Sequence, residues 1–275
     1  MTNTKLQLPY GIKGGVLTHV SQVPSGIACN CTCPACDAPL VAKKGQLKLH
    51  HFAHAKDSDC ASAIETALHL AAKSILSQRR QIFLPEVKIQ FWNSRYSSVL
   101  AQEQTYFLER VDVEKKVGLI IPDLLVYIRG RPIAIEVRVT HAVDKPKSAH
   151  YRSLGLSVLE IDLSRAPRSL TFEELEPLVV GPGPHKSWVF NAAAEQKRNQ
   201  ILSTGRVLRS ARIGYSKWIV GCPVQAQVRN GIACAHPVGD CTACEHLIEF
   251  GSNMNSVICS AAAQSTKSER ICGRA

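Results

Sequence analysis

The sequence predicts an α+β fold in which a helix, three strands, a second helix and a further strand form a core between two cysteine-rich modules. Three observations predict it. All 11 cysteines fall into two groups, one from Cys29 to Cys60 and one from Cys222 to Cys272, with none at 61–221. Between the groups, apolar residues recur first at helical spacing and then at strand spacing. A tight Arg129-Gly130-Arg131 turn joins two of the strand-like runs. The expected divisions are an N-terminal module at 1–60, the core at 61–165, a helical connector at 166–212 and a C-terminal module at 213–275.

Residues 13–28 alternate weakly between glycines and read as a hairpin, and a short ribbon follows through Lys43-Lys44-Gly45. From Cys60 to Arg80 the apolar positions Ile64, Leu68, Ala71, Ala72, Ile75 and Leu76 lie three and four apart, as on one face of a helix. Strand signals come next at 105–113, 119–128 and 132–140; the last puts Ile133, Ile135, Val137 and Val139 on one face. A helix is expected from Asp144 to Gly155 and a strand from Leu156 to Leu163. Beyond these, 171–178 and 186–203 read as helices. Arg206, Arg209 and Arg212 would share a face if their segment were helical.

Hydrophobic residues make up 45% and charged residues 20%, which excludes a disordered chain. No window approaches the about 20 apolar residues of a membrane span, since 119–128 is short and interrupted by Asp123. MTNTKLQLPYGIKGG does not read as a secretion signal, so a cytoplasmic location is expected. Thirty-three Lys and Arg against 22 Asp and Glu leave a charge of +11, which favours a polyanionic partner.

In such a compartment, closely paired cysteines favour metal over disulfides. Cys33-Pro-Ala-Cys36 followed by His51-Phe-Ala-His54 gives C-x2-C-x14-H-x2-H, suited to one tetrahedral zinc ion, and Cys60 competes with one of the histidines. Four of these five are the expected ligands; Cys29 and Cys31 stay unassigned. A second zinc is expected on Cys222, Cys241, Cys244 and Cys259, with Cys234, His236 and Cys272 as substitutes.

In the core, Asp123 and Glu136 lie on the two arms of the hairpin. Two neighbouring buried carboxylates need a cation, and Mg2+ or Mn2+ would also activate a water and stabilise a phosphate in its transition state. Glu65, His69 and Lys73 are spaced four apart and stack on one helix face.

These residues carry a resemblance. Cys33-Pro-Ala-Cys36, His51-Phe-Ala-His54, Glu65-Thr-Ala-Leu-His69 with Lys73, Pro122-Asp123, and Ile135-Glu136 leading to Thr140-His141 resemble the CoiA-like family of bacterial competence-associated nucleases. In that family a zinc module precedes a PD-(D/E)xK nuclease domain. The resemblance covers about residues 14–165. It implies a restriction-endonuclease-like αβββαβ core after an N-terminal zinc-ribbon module, with Asp123 and Glu136 as metal ligands and Glu65 as an accessory acid; the C-terminal zinc-ribbon module is expected from cysteine spacing alone. His69, Lys73 and Thr140 are the corresponding candidates for nucleic-acid contact. One position departs from the pattern: Arg138 stands where a lysine is usual, and arginine is a poor proton carrier. Lys147, on the following helix, is the candidate to replace it.

The expected function is therefore Mg2+-dependent hydrolysis of DNA, with recombination or defence proteins as further partners. The alternative is a non-catalytic accessory protein that uses the same fold as a docking surface.

Overall fold

The computed structural model describes residues 7–56, 60 and 62–261; Cys272 lies outside them. The structure is a mixed α and β protein made mostly of strands. It divides into two units, one within Met1–Glu86 and Gln102–Ala192, the other within Val87–Ala101 and Ala193–Ala275.

In the first unit, helix α1 (Ala63–Arg79) buries Ala63, Ala67, Leu68, Ala71, Ala72, Ile75 and Leu76. That stripe of small and branched residues lets sheets approach closely. Arg80 ends the helix in the left-handed conformation, its N–H donating to the Leu76 carbonyl. A five-stranded N-terminal sheet packs on α1, in the order Val16–His19, Tyr10–Lys13, Gly26–Thr32, Pro39–Lys43 and His51–His54. The sheet has no core of its own: Tyr10, Cys29, Cys31, Leu40 and Phe52 belong to one buried cluster with the α1 stripe.

The second sheet of this unit has the order Arg110–Val113, Leu124–Ile128, Arg131–Arg138, Ser157–Asp162 and Lys186–Phe190. All its pairings are antiparallel except that of Arg131–Arg138 with Ser157–Asp162, which are joined through helix α2 (Lys145–Ser153). Strand alternation sorts the side chains. Leu124, Val126, Ile135, Val137, Leu159 and Ile161 join the cluster with α1, while Leu125, Ala134 and Val158 pack with Tyr151 of α2. Asp144 caps α2 by accepting from the Lys147 amide. Helix α3 (Phe172–Val180) follows, opened by a Thr171/Glu174 capping box.

Several expectations are corrected. The run 105–113 is two strands, Gln104–Phe107 and Arg110–Val113, in different sheets. The chain turns between them, where the Leu108 amide donates to Arg80 and the Glu109 amide to Tyr127. The apolar run 119–128 is a strand only over Leu124–Ile128; Leu119 and Ile121 are exposed, and Pro122 has no N–H to pair. The helix expected at 186–203 is a strand, Lys186–Phe190, followed by helix α4 (Ala192–Ser203). Trp188, Val189 and Phe190 favour the extended edge of the sheet over a helix. The segment 166–212 is thus not a purely helical connector. Arg206, Arg209 and Arg212 lie on the strand Arg206–Ile213, so Arg209 faces away from the other two.

The second unit is a six-stranded antiparallel sheet in the order Gln227–Arg229, Ile232–Ala235, Ser216–Val220, Arg206–Ile213, Ser256–Cys259 and Leu247–Phe250. The hairpin of Val87–Ile89 and Ser98–Ala101 supplies Ile89 to a cluster with Ile248, against which Ile201 and Leu202 of α4 pack.

The two-residue turn Arg129-Gly130 sets the register of Leu124–Ile128 with Arg131–Arg138, and both its residues have positive φ, at 50° and 72°. A Cβ on Gly130 would meet nothing within 4 Å, so substitution there is opposed by backbone conformation alone. Gly130→Ala is expected to destabilise the protein by about 1–2 kcal/mol, read as a lower midpoint in urea.

Candidate functional site

Leu124 pairs with Ile135, so one residue further on Asp123 falls opposite Glu136 at the end of the hairpin. The two carboxylates turn to different helices. Asp123 accepts from the Val137 amide at 2.9 Å and faces α1, with Lys73 Nζ at 3.0 Å and His69 Nδ1 at 3.5 Å. Glu136 faces α2, where Lys147 Nζ lies 2.7 Å from its Oε1 and the Tyr151 hydroxyl donates to the same oxygen. Tyr151 carries no sequence signal beyond its position one turn past Lys147. Glu114 was also missed; it sits in a left-handed turn and reaches Lys73 at 2.8 Å.

The charges differ accordingly. Burial alone would raise the Asp123 pKa, but hydrogen bonds from His69 and the Val137 amide, with the charges of His69 and Lys73, hold it well below the usual carboxylate range. Burial raises Glu136 above its ordinary value, opposed by Lys147 and Tyr151 and reinforced by the Asp123 charge. Burial would lower Lys73, yet Glu114 and Asp123 raise it.

The other expected residues are arranged around this pair. Arg138 projects on the Glu136 face but is engaged by Asp162 at 3.2 Å, with Glu160 at 3.9 Å. Glu65 is half-buried one turn before His69, and no described contact joins it to either acid. Thr140 is exposed and contacts His141 Nδ1 at 2.8 Å. Two buried nitrogens, His69 Nε2 and Arg138 Nε, have no hydrogen-bond partner among the described residues.

A Cys/His cluster forms at the edge of the N-terminal sheet. The ligand atoms of Cys33, Cys36, His54 and Cys60 all lie within 4.8 Å of one another, an arrangement compatible with a structural zinc site. The turn Cys33–Cys36 supplies two of them, and the Ala35 amide donates to the Cys33 sulfur at 3.5 Å. Burial pushes the Cys33 thiol up to about 11, whereas the Ala38 amide lowers that of Cys36. His51 is the competitor left out. It is three residues from His54 on one strand and so faces the other way, its Nδ1 2.8 Å from the Leu49 carbonyl. Cys29 and Cys31 are buried core thiols that donate to the carbonyls of Leu40 and Cys29.

Residues 27–63 match the family model described as competence protein CoiA, N-terminal domain. The match takes in the whole Cys/His cluster and the first residue of α1. It covers 37 of the 275 residues and does not reach Asp123 or Glu136. No curated protein and no solved structure matches the chain significantly. Among the described residues, no helix is long and apolar enough to cross a membrane.

In the second unit, Cys222, Cys241, Cys244 and Cys259 line one apolar cavity. Burial, reinforced by Cys222 and Cys244, pushes the Cys241 thiol up to about 12.

Two outcomes follow from this geometry. A depressed carboxyl pKa contributes stability above the unfolded value of about 3.9 and loses it as pH falls through the folded value. Asp123→Asn should therefore lower the thermal midpoint at pH 7, through a loss of about 1.5–3 kcal/mol. The difference from wild type should shrink as pH falls below about 3.9. In zinc analysis of the full chain, His54→Ala should remove one equivalent and His51→Ala none.

Proposed function

We propose that the chain is a CoiA-like, metal-dependent nuclease that hydrolyses DNA phosphodiester bonds at the hairpin end bearing Asp123 and Glu136. The observation that carries this reading is the strand register, which sets the two carboxylates opposite each other with a lysine at each. The donor set fits a hard divalent cation, because Mg2+ commonly takes one or two protein carboxylates and fills its shell with water and phosphate oxygens. When bound, Mg2+ or Mn2+ would activate a water and neutralise charge on the phosphate.

The chain's own groups then have distinct tasks. His69 and Lys73 keep Asp123 ionised. Tyr151 and Lys147 hold Glu136 in place, and Lys147 takes the part of the lysine that Arg138 replaces. Arg138, tied to Asp162, is a fixed positive charge for the phosphate and not a proton carrier. The buried, unpartnered nitrogens of His69 and Arg138 would take an ordered water as partner. Zinc at the Cys/His cluster would act by positioning: Cys60 accepts from the Ala63 amide at the start of α1, so the ion would tie the N-terminal sheet to the helix carrying Glu65, His69 and Lys73.

The engagement of Arg138 by two acids favours one second reading, a nuclease-like fold kept as a DNA-docking surface. A single assay separates the two. With Mg2+ or Mn2+, wild type should cut single- or double-stranded DNA, and Asp123→Ala and Glu136→Ala should not. Lys147→Ala should slow cutting by about 10²–10⁴-fold. Cutting that survives in both acid variants would defeat the assignment. Folded wild type that binds DNA and cuts none would select the docking reading.

A further inference from the structure

We propose that Cys222, Cys241, Cys244 and Cys259 form a second, all-thiolate zinc site in the sheet unit of residues 193–261. The four line a single cavity walled by Leu208, Ile219, Leu247 and Val257, and all four are unpaired thiols. They arrive from three separate places: the turn after Ser216–Val220, the π-helical turn Pro237–Cys241 with its continuation to Cys244, and the end of Ser256–Cys259. Two of these places are tight turns, with the Gln225 amide donating to Cys222 and the Cys244 amide to Cys241.

Among the described residues, the competing ligands are accounted for. Ile219 and Ala235 pair with each other and line the cavity, so Cys234, next along its strand, faces away. His236 Nδ1 accepts from the Gly239 amide, and its ring packs on Trp218. Asp240 reaches the cavity, but its Oδ2 already accepts from the His236 amide and from Gln227. What remains is a sulfur-only set in apolar surroundings, which selects zinc over oxygen-seeking cations. The buried cluster here otherwise rests on few large side chains, Ile219, Leu247 and Val257 among them, so metal binding would supply much of its folding energy. The sulfurs are more loosely gathered than the N-terminal quartet. A tetrahedral site needs them about 3.8 Å apart around Zn–S bonds of about 2.3 Å, so zinc binding would draw the four sulfurs together.

The test uses the full chain purified without chelator. Elemental analysis should give two zinc ions per chain, and Cys241→Ser or Cys244→Ser should each leave one. Because such variants can misfold, native wild type is also alkylated and mapped by peptide before and after chelation. Protection of all four cysteines that chelator abolishes supports the site. One zinc per wild-type chain, iron in place of zinc, disulfides among the four, or free alkylation of the native protein would each overturn it. The outcome is independent of whether the protein cuts DNA.

Discussion

Two carboxylates brought together in a partly dry environment repel each other and lose hydration, and that constraint organises the first unit. The hairpin register leaves no choice about Asp123 and Glu136 being neighbours. Their charge is met from both sides of the sheet: α1 brings Lys73 and His69 to one, α2 brings Lys147 and Tyr151 to the other. Both helices are therefore bound to the sheet by charge as well as by apolar burial. The contacts also explain why the acids titrate in opposite senses. Asp123 accepts from an amide and is flanked by Lys73 and His69, whereas for Glu136 burial outweighs Lys147 and Tyr151, with Asp123 a lesser contributor.

Not every buried charge belongs to a site. Lys186 is almost wholly buried, and burial lowers its pKa to about 8, yet its ammonium donates to the Leu178 and Gly181 carbonyls at the end of α3. That is a helix C-cap made by a side chain. The pair at Asp123 and Glu136 differs because its members are like charges, which a cap or a single salt bridge does not explain.

The N-terminal sheet depends on the same helix. It is too small to enclose its own core, and α1 completes it through the cluster shared by Tyr10, Leu40, Phe52 and Leu68. The Cys/His cluster sits at the junction, with Cys60 reaching from the start of α1 to Cys33 and Cys36 on the sheet. A metal there would restrain the helix end nearest Glu65 and His69. Apolar contact and ligation would then act on one element.

The sequence by itself determined the α and β composition, the α1 stripe, the hairpin turn and its two acids, and the spacing of the Cys and His residues. These are local: each depends on period, turn chemistry or ligand spacing within a few residues. It could not divide 105–113 between two sheets or turn 186–190 into an edge strand, because a short apolar run has no period that separates helix from strand. Tertiary structure alone decided between His51 and His54, brought Lys147 and Tyr151 to Glu136, and tied Arg138 to Asp162. Those outcomes depend on which face of a strand meets which helix. That is fixed by pairing between distant segments, not by the residues' own neighbours in the chain.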